Sequence, residues 1–201
     1  MLPFRSALAR ALVVAALLPL APIVCAAGAH EGRPSSAAPL RVPVQLAVRK
    51  ELGAPPAGVT ELKFRDVFKL PAGPKGLQPT EKLLSLDGKR VRIVGYMAQQ
   101  HSPSKGVFLL SPLPVLLGDE DEALADDLPA SAILIELPRS RDVSIPPLPG
   151  LLQLTGTLRV GMRTDPASGR ATPAQLVLDA APERAVQRIA RSLAASPHPP
   201  H

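Results

Sequence analysis

With a single cysteine, Cys25, in 201 residues, the chain cannot form an intramolecular disulfide, a thiolate metal centre or a Cys-x-x-Cys redox pair. It has no tryptophan, one tyrosine and four phenylalanines. Single-strand nucleic-acid binders stack bases on aromatic rings along a positive groove, so a chain this poor in rings is not expected to bind nucleic acid, even at a formal net charge of +6. Several catalytic signatures are also missing: the Gly-x-Ser-x-Gly elbow, His-Glu-x-x-His, a phosphate-cradling Gly-x-x-x-x-Gly-Lys-Ser/Thr loop, and Gly-x-Gly-x-x-Gly after a strand. A hydrolase built on Ser111 would need His101 brought to it across a hairpin. No enzyme is expected, and no cofactor is implied.

What the chain has in quantity is proline, 25 residues of it. Each proline removes a backbone donor and fixes φ, which rules out a large helical bundle. The N-terminus carries Arg5 and Arg10 and no acid, and Ala11 to Val24 is apolar and uncharged. Small residues follow in Cys25-Ala26-Ala27-Gly28-Ala29. That is the order of a secretory signal, 1–29, cleaved after Ala26 or Ala29, and it predicts a periplasmic or secreted protein. Membrane association would then come only through an uncleaved leader or a partner.

Residues 30–60 read as an extended linker, within which Val42, Val44, Leu46 and Val48 alternate as an edge strand would. A mainly β domain is expected over 61–181. A short helical turn carries Phe64, Val67, Phe68 and Leu70, and a brief helix opens at Pro79 and stops at Asp87-Gly88. Five strands follow, at 90–97, 106–110, 132–137, 151–161 and 175–180, the fourth bending at Gly156. Because helices do not alternate with these strands, the fold expected is a small five-stranded OB-like barrel with short helices, and a two-layer α+β sheet is the alternative. Residues 182–201 add a helix, with Val186, Ile189, Ala190 and Leu193 on one stripe, and a disordered Pro/His tail.

Asp87-Gly88-Lys89-Arg90-Val91-Arg92-Ile93-Val94-Gly95-Tyr96-Met97, Phe108-Leu109-Leu110-Ser111-Pro112 and Leu154-Thr155-Gly156-Thr157-Leu158-Arg159-Val160-Gly161 resemble stretches of uncharacterised secreted bacterial proteins with an OB-like fold, a domain of unknown function. The resemblance spans roughly residues 61 to 181 and implies an envelope accessory protein working beside a transport system. Related members often carry cysteines after the Ser-Pro that ends the second strand. Here Leu113, Pro114 and Val115 stand instead, so any cysteine-based role is lost.

Six acids crowd residues 119–127. Clustered carboxylates suit a hard cation such as Ca²⁺, with Asp119, Asp121 and Asp126 as first ligands, although the spacing fits no EF-hand loop. A solvated acidic loop is the plainer reading, and docking to a basic patch is a third. His198 and His201, with His30, could chelate Cu²⁺ or Zn²⁺. Lys89, Arg90, Arg92 and Tyr96 form the basic, ring-bearing run expected to meet a protein partner. Together these features predict an exported, non-enzymatic binding or scaffolding domain of the bacterial envelope with an envelope protein as partner. The alternative is a periplasmic metal-binding protein using the acidic loop or the histidine tail.

Overall fold

The computed structural model describes residues 42–48, 51–118 and 128–194. These form a mainly β unit with strands β1 (Thr60–Glu61), β2 (Arg90–Met97), β3 (Gln99–Gln100), β4 (Val107–Ser111), β5 (Leu116–Leu117), β6 (Ile133–Glu136), β7 (Leu151–Thr164) and β8 (Ala171–Leu178). Two α-helices accompany them, α1 (Glu81–Ser85) and α2 (Ala180–Ala194), with a single 3₁₀ turn at Phe64–Asp66. Among the described residues no helix is long and apolar enough to cross a membrane.

The main sheet runs β1-β2-β4-β6-β8-β7, and a further ladder joins β2 to β7. β2, β4, β6, β8 and β7 therefore each pair on both sides. β6 and β8 run parallel, as do β1 and β2, and the other ladders of this sheet are antiparallel. β3 and β5 form a separate two-stranded parallel pair.

The long β7 serves two neighbours. Leu151 to Thr157 pair with β2, and Gly156 to Thr164 pair with β8. At the crossover, Gly156 is opposite both Val91 and Leu178. A Cβ there would lie 2.2 Å from the Val177 carbonyl oxygen, so only glycine lets the strands approach this closely. At the residue where the sequence predicts a bend, β7 changes from one partner to the other.

β8 begins four residues before the expected strand and contains Pro173. A register shift between Val160 and Arg163 on β7 places Pro173 opposite a bulge, between the pairs Val160↔Ala174 and Arg163↔Thr172. Its missing N–H therefore breaks no ladder bond. Pro79 is not the first helical residue either. Thr80 is the N-cap of α1 and accepts the Leu83 N–H at 3.0 Å, and Pro79 pairs with Phe68 ahead of it.

Residues 42–48 depart from the strand expected of them. Pro43 O accepts the N–H groups of Leu46 at 2.9 Å and Ala47 at 3.0 Å, closing a turn that buries Leu46 completely and leaves Val44 62% exposed. A single antiparallel bridge, Ala47 to Leu152, ties it to β7, with the Gln153 N–H donating to the Leu46 carbonyl at 2.7 Å and the Val48 N–H to the Leu151 carbonyl at 3.2 Å. This part of the expected linker packs into the main core.

That core gathers Val91 and Ile93 of β2, Phe108 and Leu110 of β4, Ile133 and Ile135 of β6, the buried leucines of β7 and β8, and Ala185, Val186 and Ile189 of α2. A smaller cluster of Ala98, Leu109, Leu117 and Leu134 covers the opposite face of β4 and β6. Both strands are apolar without alternation because both of their faces are covered.

Candidate functional site

Alternation along β2 turns Val91 and Ile93 into the core and places Arg90, Arg92, Val94 and Tyr96 on the other face. The four residues expected to meet a partner have different surroundings there. Lys89 is exposed at the start of the strand. Arg90 donates to Asp179, at the β8–α2 junction, at 2.6 Å, and this bond holds its guanidinium even more firmly protonated than usual.

Arg92 is not a surface cation. It is 3% exposed, covered by the segment that leads into β1. Its guanidinium donates to Glu61 at 2.8 Å and to the Gly53 carbonyl at 2.9 Å. In return, Arg92 holds the Glu61 carboxyl below the usual carboxylate range.

Tyr96, at the far end of β2, lines an open cleft of about 210 Å³ with Met97, Gln99, Leu116, Leu148 and Pro149. The Gln99 N–H donates to the Val115 carbonyl at 3.0 Å, and with the β3–β5 pairing this fixes one wall. Leu116, on this wall, is 63% exposed, and Leu113, just ahead of it in the chain, is 61% exposed. The neighbouring Gly95 has no room for a side chain, because a Cβ would lie 2.7 Å from both the Phe64 ring and the Ser111 carbonyl.

Ser111 is fully buried and its hydroxyl accepts the Leu113 N–H at 3.3 Å. His101 lies on the surface. Asp119, Asp121, Asp126, His198, His201 and His30 lie outside the described residues. Among the described residues no group of three or more acids, histidines or cysteines is placed to hold a metal ion.

Two polar clusters were not anticipated. Asp165, in the turn after β7, is fully buried. It accepts the Ser104 hydroxyl, the Gln100 side-chain amide at 2.7 Å and the Ser168 hydroxyl at 2.5 Å. Burial pushes its carboxyl up, but the bonds from Ser104, Ser168 and Gln100 together outweigh that and hold it below the usual range. The turn itself was legible, but the partners on the β2–β4 connection were not.

The second cluster centres on Glu183 of α2, also fully buried. Its Oε1 accepts the Arg139 N–H at 2.6 Å and the Ser140 hydroxyl at 3.0 Å. Its Oε2 has no hydrogen bond, and the nearest cation is Arg139 Nη1 at 3.8 Å.

No family model matches the chain, and no curated protein does. Among solved structures, the chain is similar to the crystal structure of a DUF3299 family protein from Pseudomonas aeruginosa PAO1. The two share 15% identity over 63% of this chain and 94% of that one, with a TM-score of 0.41.

Proposed function

We propose that this is an exported, non-enzymatic binding domain of the bacterial envelope, accessory to a transport system, built on an OB-like barrel. The barrel reading is supported by the second β2 ladder, from Arg90↔Thr157 to Tyr96↔Leu151, which returns the strand order to its start. It is also supported by the one parallel contact, β6 with β8, in that five-strand circuit. Export rests on the leader at 1–29.

The observation that carries the binding reading is the Tyr96 cleft, with Leu116 exposed on its wall. An apolar concavity ringed by backbone and one amide suits an extended aliphatic or proline-rich segment of an envelope protein. Such a partner would cover Leu113 and Leu116 and stack on Tyr96, whose ring combines large area with low conformational entropy.

The test is a photo-crosslinking residue at position 116 in intact cells, together with the mass of the mature protein. The expected result is a chain shortened by 26 or 29 residues, crosslinked to one envelope protein, with the crosslink lost in Tyr96→Ala. A full-length product, or a crosslink indifferent to Tyr96, would sink the reading. Tyr96 is the sole tyrosine and there is no tryptophan, so intrinsic fluorescence reports on this cleft without labelling.

A further inference from the structure

Away from the Tyr96 cleft, we infer that the exposed face of α2 is an anion site for a soluble ligand carrying several phosphates. Arg184, Gln187, Arg188 and Arg191 recur at helical spacing and, with Gln45, line an open groove of about 450 Å³. That volume is within the range of small-molecule sites.

Among the described residues, none of these three guanidiniums takes part in a hydrogen bond or an ion pair. Several arginines elsewhere are paired, Arg90 with Asp179 at 2.6 Å, Arg92 with Glu61 at 2.8 Å, Arg141 with Glu136 at 3.5 Å and Arg139 with Glu183 at 3.8 Å, whereas the α2 set is three unpaired guanidiniums on one groove. Like charges at i, i+4, such as Arg184 and Arg188, destabilise a helix. Arg184 also stands toward the N-terminal, positive end of the helix dipole, which favours anions and not cations. Arginine is a good helix former and Arg191 sits in the last turn, where the dipole favours a cation, but neither offsets the mutual repulsion of the three charges, which a multivalent anion neutralises together.

The groove is held in shape from beneath. The Gln187 amide donates to the Ser140 hydroxyl, which donates to the buried Glu183. One side of the groove is therefore tied to a fixed polar cluster, and preorganisation lowers the ordering cost of binding.

Helix rise spreads the three Cα atoms over about 10 Å, more than one phosphate covers. Guanidinium forks match phosphate oxygens bidentately, and carboxamides can serve esters or hydroxyls between them. A lipid surface is a poorer fit, because the apolar stripe of α2, with Val186 and Ile189, is already buried in the core and leaves nothing to insert into a bilayer.

Titration of the full mature chain with tripolyphosphate, and separately with phosphatidylglycerol vesicles, tests this. Wild type is expected to bind tripolyphosphate saturably and to ignore the vesicles. The R184Q/R188Q/R191Q variant is expected to melt no lower than wild type without ligand and to lose about tenfold or more in affinity. The K75Q/K105Q/R159Q variant, which removes as much charge elsewhere, is expected to bind like wild type. Equal weakening in both variants, unchanged binding in the first, or a preference for the vesicles would overturn the inference.

Discussion

The Ser104 hydroxyl donates to the Asp165 carboxylate inside the protein, across 61 residues of sequence. Ser104 lies between β2 and β4, and Asp165 between β7 and β8. One buried anion thus clamps together two connections that share no ladder at that point. Gln100 and Ser168 complete its shell, which is what makes a fully buried carboxylate tolerable.

The clamp predicts an acid-sensitive stability. Because the folded-state pKa of Asp165 lies below its unfolded value, the carboxylate stabilises the fold above the ordinary carboxylate range, and that contribution is lost as pH falls through the folded pKa. Asp165→Asn should cost about 2 kcal/mol near neutral pH, since an amide cannot accept on both sides. The gap from wild type should narrow in acid. Urea unfolding at two pH values checks this, and a gap of constant size would contradict it.

Gly156→Ala should be among the most damaging single methyl additions available. The new carbon meets the Val177 carbonyl at 2.2 Å, and backbone on a paired strand cannot move aside alone. A loss of about 3 kcal/mol is expected, at the upper end for overpacking, measured as a lowered urea midpoint with the slope retained.

Arg92 and Glu61 should respond unequally to removal. Glu61→Ala strands a guanidinium that is 3% exposed, whereas Arg92→Met leaves a carboxylate that still reaches water, 33% exposed. The first should destabilise by about 2 kcal/mol, and the second should be close to neutral, because methionine fills the buried site while Glu61 keeps water and Lys63 at 3.4 Å. Similar losses for both variants in chemical denaturation would refute this account of Arg92 burial.

Glu183→Gln should hardly matter, whereas Glu183→Ala should cost about 2 kcal/mol. Glutamine keeps an oxygen for Arg139 N–H and Ser140 and replaces the unbonded Oε2 with an amide. Alanine leaves both donors buried and unanswered. Melting temperatures of the pair decide this, with equal losses the contrary result.

Where burial follows from one local period, sequence and structure agree. β2 occupies Arg90–Met97 as expected because its apolar residues alternate onto the core face, and β7 changes partner at Gly156, where a strand too long for one neighbour meets glycine. The alternation of Val42, Val44, Leu46 and Val48 misleads because the Pro43 carbonyl captures the next N–H groups in a turn. Pro173 hid the first half of β8, since only a bulge on another strand makes proline acceptable there. The arginines of α2 stand in the sequence at helical spacing, but the groove they line includes Gln45, from a segment read as linker.

Local chemistry settled where the longer core strands lie, because glycine, proline and alternation act within a few residues, but not the two-residue strands β1, β3 and β5, which exist only through their partners. The charge and hydropathy of residues 1–29, on which the export proposal rests, are likewise written in the chain itself. Which polar side chains would be buried depended on contacts distant in sequence. Arg92 looks like any strand cation until Gly53 and Glu61 cover it, and Asp165 looks like any turn aspartate until Ser104 and Gln100 reach it. Burying a charge is tolerable only when its partners arrive with it, and only the pairing of strands far apart in the chain brings them there.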